Sequence, residues 1–275
     1  MEIRKINYFQ YIIYLNIAIF ILVNLFSIII PYLFNLEQNN QIINYLGLSA
    51  DLDSLIKKPW VIFSHIFIHT DLFHLAINLC WLIFGGRIFI QYLNNNEFLS
   101  TYIMGGIFGA VVYIISYNIF PVFEIVKGSS LAIGSSASVL AILIAIATFV
   151  PNLSINIANL KLKHIAFLAV LVDLLSITNG NTGGHIAHLS GAIYGFFYIY
   201  LKKYNYNINW CTDYIIDLLT INKQKAFKFK RENDYDYNAR KNKEINELNS
   251  VLEKISKSGY ESLSKEEKEI LFNQK

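Results

Sequence analysis

Runs of apolar residues long enough to cross a bilayer recur along this chain, and they leave few other ways for it to fold. A crossing helix needs about 20 apolar residues. Six segments approach that length, at about 10–34, 73–93, 97–120, 135–150, 163–178 and 184–203. Each ends at polar residues or helix breakers: Asn39-Asn40, Asn94-Asn95-Asn96, Pro121, Pro151-Asn152 and Asn179-Gly180-Asn181. The fourth is short, which fits a helix that begins below the membrane surface. The insertion at about 35–72 holds apolar pieces, 42–48 and 60–68, too short to cross, so it is expected in or on the membrane interface. The fold class that follows is an all-α membrane protein, a bundle of six transmembrane helices.

The placement of charge agrees. Residues 223–275 hold 13 of the 23 Lys/Arg and 10 of the 20 Asp/Glu, so the first two hundred positions are charge-poor. A net charge of +3 is too small to point to nucleic acid. Cys80 lies inside an apolar run and Cys211 after the last one, which gives neither a disulfide framework nor a CxxC metal pattern. The apolar N-terminal stretch lacks a small-residue cleavage site and reads as a retained first span.

One set of span ends carries Arg4, Lys5, Arg87, Lys161, Lys163, Lys202 and Lys203, the other Lys57, Lys58 and Lys127. The richer set is expected to be cytoplasmic. Both termini then lie inside, while the insertion, the loop before Ser136 and the turn near Asn181 share the outer face. Localisation is read as a multi-pass protein of a bacterial cytoplasmic (inner) membrane. The chain divides into the six-helix region 1–205, a juxtamembrane basic linker 206–240 and a small cytoplasmic helical hairpin 241–275. The linker carries Lys223, Lys225, Lys228, Lys230 and Arg231, suited to a lipid surface. In the hairpin, Ile245, Leu248, Leu252 and Ile255 share a helical face, Gly259 stops the helix, and Ser264 to Glu267 forms a capping box.

Ionisable and polar side chains inside spans are costly and mark function. Here they are His74 and Asn78 in span two, Ser136 in span four, Asp173 in span five, and His185 and His188 in span six. Taken alone, the serines of Gly134-Ser135-Ser136-Ala137-Ser138 read as an N-cap cluster for the fourth span. However, His74, Asn78, Ser136 and His188 all fall at a similar shallow depth on one side of the membrane. Ala137, Ala141 and Ala145 form a small-residue stripe on span four. Gly184, Gly191 and Gly195 follow the His188 face of span six, and small residues at this spacing let helices approach closely. Close approach would bring Ser136 Oγ toward His188. A serine hydroxyl becomes a nucleophile when a base takes its proton. The Ser136 N–H, His74 and Asn78 could then donate to the developing oxyanion.

These residues resemble a rhomboid intramembrane serine protease across about 58–200. Pro59-Trp60 leading into His69-Thr70-Asp71-Leu72-Phe73-His74-Leu75-Ala76-Ile77-Asn78 is similar to the family's interfacial loop and its His-x-x-x-Asn motif. Gly134-Ser135-Ser136-Ala137 resembles Gly-x-Ser-Gly, and Ala187-His188-Leu189-Ser190-Gly191 resembles Ala-His-x-x-Gly. The resemblance implies Ser136 as nucleophile and His188 as base in a dyad, with His74 and Asn78 as oxyanion donors. His69, Trp60, Gly134, Ala137 and Gly191 are the structural residues near the site. It further implies cleavage of peptide bonds in or next to transmembrane segments, with transmembrane proteins as substrates and no cofactor or metal. Three departures stand out: Ala137 replaces the last glycine, Leu140 stands where members can carry an aromatic packed on the histidine, and Val61 follows Trp60.

Two other readings use the same residues. A metal-binding membrane protein could recruit His65, His69, His74, His185 and His188 as ligands. A non-proteolytic relative could bind and escort membrane clients. Oligomeric state is not encoded in any of these features.

Overall fold

The computed structural model describes residues 7–34, 41–155, 160–178 and 181–210, most of 212–218, and parts of the tail between 249 and 268. The basic linker cluster, Cys211, Ile245 and Leu248 lie outside the described residues. The chain forms two compact units, Met1–Leu218 and Leu219–Lys275.

Among the described residues, six long helices form the bundle of the first unit where six spans were expected: α1 Tyr8–Leu33, α2 Leu72–Tyr92, α3 Asn95–Ile119, α4 Ser136–Phe149, α5 Leu162–Ser176 and α6 Thr182–Lys202. Of these, α1, α2 and α3 are long and apolar enough to cross a membrane by themselves. Pro31 has no N–H to donate and its ring crowds the preceding turn. The helix accommodates it with a π-turn at Leu25–Ile29. Asn94 caps α3 through its side chain on the Glu97 N–H at 2.8 Å, and Asp71 caps α2 on the His74 N–H at 2.7 Å.

α4 is the centre of the bundle. Ten of its 14 residues are buried, as expected for a helix apolar on every side. Fourteen residues rise only about 21 Å at ~1.5 Å each, against a hydrocarbon core of ~30 Å. Glycines on three neighbours make room for it. Gly105 and Gly109 of α3 face Ala141 and Ala137, Gly191 and Gly195 of α6 face the carbonyls of the same two alanines, and a Cβ at Gly85 of α2 would lie 3.5 Å from Leu143 Cα. The extra methyl of Ala137 is thus taken up opposite Gly109. Ile142 is fully buried beside Gly85.

α5 is peripheral: only Leu162 and Ala166 are buried, while Phe167, Leu168, Val172, Leu174 and Leu175 are exposed. Exposed apolar surface of this extent suits contact with lipid.

The insertion is a folded platform. It holds short helices Gln41–Leu46, Leu52–Lys57 and Val61–Ser64, and the first is tied to the third by Trp60 Nε1 donating to the Tyr45 carbonyl at 2.9 Å and Ser64 Oγ donating to Leu46 O at 2.6 Å. Two-residue strands, β1 Leu48–Ser49 and β2 Leu131–Ala132, pair antiparallel and tie the platform to the loop that precedes α4.

At the other end, residues expected to begin a linker pack on the bundle instead. Asn209 is fully buried, accepting from Tyr194 and donating to Thr101 Oγ1 at 3.3 Å, and Asp213 accepts from Ser100. In the second unit, Gly259 at φ +78° closes the helix after residue 257, and Ser264 and Glu267 make the reciprocal capping bonds at 3.2 and 2.7 Å. Val251 and Leu263 are buried there, whereas Leu252 is exposed.

Candidate active site

The site is assembled at the start of α4. Gly134 adopts φ +111°, open to glycine, and a Cβ there would meet His74 Cε1 at 2.7 Å. Its N–H donates to the His65 carbonyl at 2.9 Å, so the platform fixes the turn into the helix. Ser135 occupies the N-cap position, but its side chain caps nothing. Its hydroxyl and N–H approach His69 Nε2 at 3.3 and 3.4 Å instead. The N-cap explanation for the serine cluster therefore fails at Ser135. Ser136 follows in the first turn, where no intrahelical carbonyl reaches its N–H.

Ser136, His74 and His188 line two adjoining cavities. One, of about 250 Å³, is bordered by Gly134, Ala137 and Asn181 and is the more polar of the two. The other, of about 390 Å³, lies between α2 and α5, bordered by Trp81, Leu140, Leu168 and Val172, and is mostly apolar. Asn78 and Asp173 line this second cavity with Ser136. Asn78 is buried, with its amide donating to the His74 carbonyl at 2.9 Å, which leaves a second N–H on the same nitrogen. Among the described residues, Ser136 Oγ and His188 share these walls without a hydrogen bond between them.

His188 is held from its far side. Its Nδ1 lies 2.8 Å from Asp173 Oδ1 on α5, and the same oxygen lies 2.6 Å from His185 Nδ1. His185 is thus bound to a side chain on a neighbouring helix. Asp173 and the two histidines place three potential metal-ligand atoms within 4.8 Å of one another. The carboxylate already pairs with both rings, so these contacts account for the cluster without an ion.

The remaining residues have structural places. His69 is fully buried against Ser135, with its ring edge-on to His74 at 5.1 Å. Burial, helped by the neighbouring His74, pushes its imidazole down to about 4. His65 is also buried and lowered to about 4 by burial, with Nδ1 on the Val61 carbonyl at 2.8 Å. The histidines that a shared metal centre would need are therefore divided between separate hydrogen-bonded settings. Trp60 joins parts of the platform and borders neither cavity, and Gly191 serves the α4–α6 contact. Neither Asp173 nor its link to His188 belongs to a motif. The one sequence signal for it is a carboxylate inside an apolar span.

Fold and site together define a membrane-embedded helical protein with serine, histidine and amide groups gathered inside its bundle. A family model for the rhomboid domain matches residues 57–205, and the chain belongs to the rhomboid family. Residues 232–273 match a family of unknown function (DUF6576). Among curated proteins, the chain is similar to presenilin-associated rhomboid-like protein A, mitochondrial, of Danio rerio, with 29% identity over 161 residues. That match covers 55% of this chain, which spans 38% of the length of the relative.

Proposed function

We propose that the protein is an intramembrane serine endopeptidase that cleaves peptide bonds in or next to transmembrane segments, with Ser136 as nucleophile and His188 as base. The observation that carries this reading is that Ser136 and His188 line the same cavities while a carboxylate holds the opposite nitrogen of the imidazole. In the reaction, His188 Nε2 takes the Ser136 proton as Oγ bonds to the scissile carbonyl carbon. His188 then gives that proton to the leaving amine as the C–N bond breaks. Water, deprotonated by the same nitrogen, attacks the acyl-enzyme, and the proton returns to Oγ as the acid product leaves. His74, the free N–H of Asn78 and the Ser136 backbone N–H are the proposed oxyanion donors.

The two cavities suit this chemistry. The polar one offers water a route, and the apolar one between α2 and α5 suits a substrate's apolar segment arriving from lipid. A six-span topology with both termini cytoplasmic is part of the proposal, supported by the Lys/Arg distribution. The test is cleavage of a transmembrane model substrate by purified protein, wild type beside Ser136→Ala. Wild-type cleavage lost in the variant supports the reading, and equal cleavage, or none by wild type, overturns it.

A further inference from the structure

One group near the site has no part in a Ser–His dyad. The Asp173 side chain is 13% exposed, lies on α5, and directs one oxygen at two imidazoles on α6. Proton counting restricts what this can mean. An ionised carboxylate only accepts, so both Nδ1 atoms must then carry hydrogen. A protonated carboxyl has one hydrogen and could donate it to one ring only, leaving the other ring as donor. His188 Nδ1 is therefore an N–H whenever Asp173 is ionised. A neutral His188 bonded this way has its lone pair on Nε2, the nitrogen a base would turn toward Ser136.

We infer that Asp173 is a positioning residue for His188, fixing its Nδ1–H tautomer and ring orientation, with His185 a second claimant on the same carboxylate oxygen. This rests on the proposed protease reading. The chain departs from a plain dyad in a physically sensible way. α4 offers Leu140 rather than an aromatic ring beside the histidine, and packing by an aliphatic side chain sets no ring tautomer. The carboxylate sets it through a directional bond. It also stands beside the imidazolium that forms when Ser136 gives up its proton, where negative charge favours the charged ring. The Asp173 bond also ties His188 to α5, a peripheral helix with two buried residues.

The test has two arms. In turnover assays, Asp173→Ala is expected to lower kcat by about 10² or more while KM moves little, the split for an interaction made in the transition state. Asp173→Asn, of the same shape, keeps the fold in view should the alanine variant misfold, and its kcat is expected to fall as well. His185→Gln, which leaves the His188 bond in place, is expected to cost less than either. In the second arm, 15N NMR of histidine-labelled Ser136→Ala protein reads the His188 tautomer without any turnover. The Nδ1–H form is expected with Asp173 present, and a shift toward Nε2–H with Asp173→Ala. The inference is overturned by wild-type kcat in Asp173→Asn or by an unchanged His188 tautomer in the Asp173→Ala background. It is also overturned if EDTA abolishes cleavage and zinc restores it, since the three groups would then be metal ligands. Absence of cleavage by the wild type would instead remove the protease reading, while the tautomer measurement would still stand.

Discussion

Gly191 of α6 lies so close to the Ala137 carbonyl of α4 that a Cβ at Gly191 would overlap it. Ala137 is the residue after Ser136, and Gly191 is one turn beyond His188, so this backbone contact sets the distance between the proposed nucleophile and base. Gly191→Val must push the helices apart or fail to pack. A displacement of about 1 Å can lower a rate on the order of 10². Ala141→Leu, where the side chain meets Gly105 and is fully buried, overfills the same seam at about 1–3 kcal/mol. Both variants are expected to cleave at least tenfold slower, which is roughly 1.4 kcal/mol of barrier. Leu175→Val on the exposed face of α5 serves as the mild control. Near-wild-type cleavage by both seam variants would show that the contact does not govern the site.

The two serines that begin α4 are separable by mutation. Ser136→Ala and His188→Ala are each expected to reduce cleavage by at least about 10³, since nucleophile and base act as one unit. Ser135→Ala should keep turnover and instead lose about 1 kcal/mol of stability, because its hydroxyl bonds the buried His69. A dead Ser135→Ala beside an active Ser136→Ala would reverse the assignment of roles.

For the oxyanion donors, the expected signature is kinetic. His74→Ala or Asn78→Ala should lower kcat by roughly 10²–10³ with KM less affected. Asn78 spends one N–H on the His74 carbonyl, so His74→Ala leaves that bond intact and the two losses can be read separately. Normal turnover in both variants would assign them to packing alone.

Much of this arrangement was legible in the chain because two signals are local. Apolar run length fixed the six helices to within a few residues, and the three motif spacings picked out His74, Asn78, Gly134, Ser136, Ala137, Ala187 and His188, which do line the two cavities. What escaped was set by contacts between elements. Nothing in the sequence pairs Asp173 with His188 or His185, since the partners lie on different helices and in no shared motif. Ile142 gave no facial cue, because a helix apolar all round has no polar side to mark outward. The β1–β2 pairing spans two residues per strand, too few for an alternation to show. Asn209 and Asp213 read as linker from their Tyr/Asn-rich surroundings, although their side chains satisfy buried hydroxyls on α3 and α6.

Stability should depend on pH through the platform. His65 and His69 are held near 4 by burial, below the ordinary imidazole value of about 6.5. Their folded-state values are lowered, so the unfolded chain binds more protons between these limits. Stability is therefore full above pH ~6.5 and is lost as pH falls from there toward 4, by up to a few kcal/mol. Melting temperature in detergent is expected to drop across that window. His65→Gln should flatten the dependence, whatever it does to the absolute value. A melting temperature constant from pH 7 to 4.5 would contradict neutral burial of these rings.

The last expectation concerns where the core ends. Truncation after Thr220 keeps Asn209 and Asp213 and removes only the second unit, which closes on itself through the Lys254–Glu267 pair at 2.8 Å and its own capping box. Truncation after Asn205 also removes the partners of Tyr194, Thr101 and Ser100. Buried polar groups left without partners cost about 1–3 kcal/mol each. The longer protein is expected to melt with the full chain and retain cleavage, and the shorter one to melt several degrees lower. Equal melting of the two truncations would show that residues 206–220 add nothing to the core. An early melt of the longer one would show that the bundle depends on the second unit.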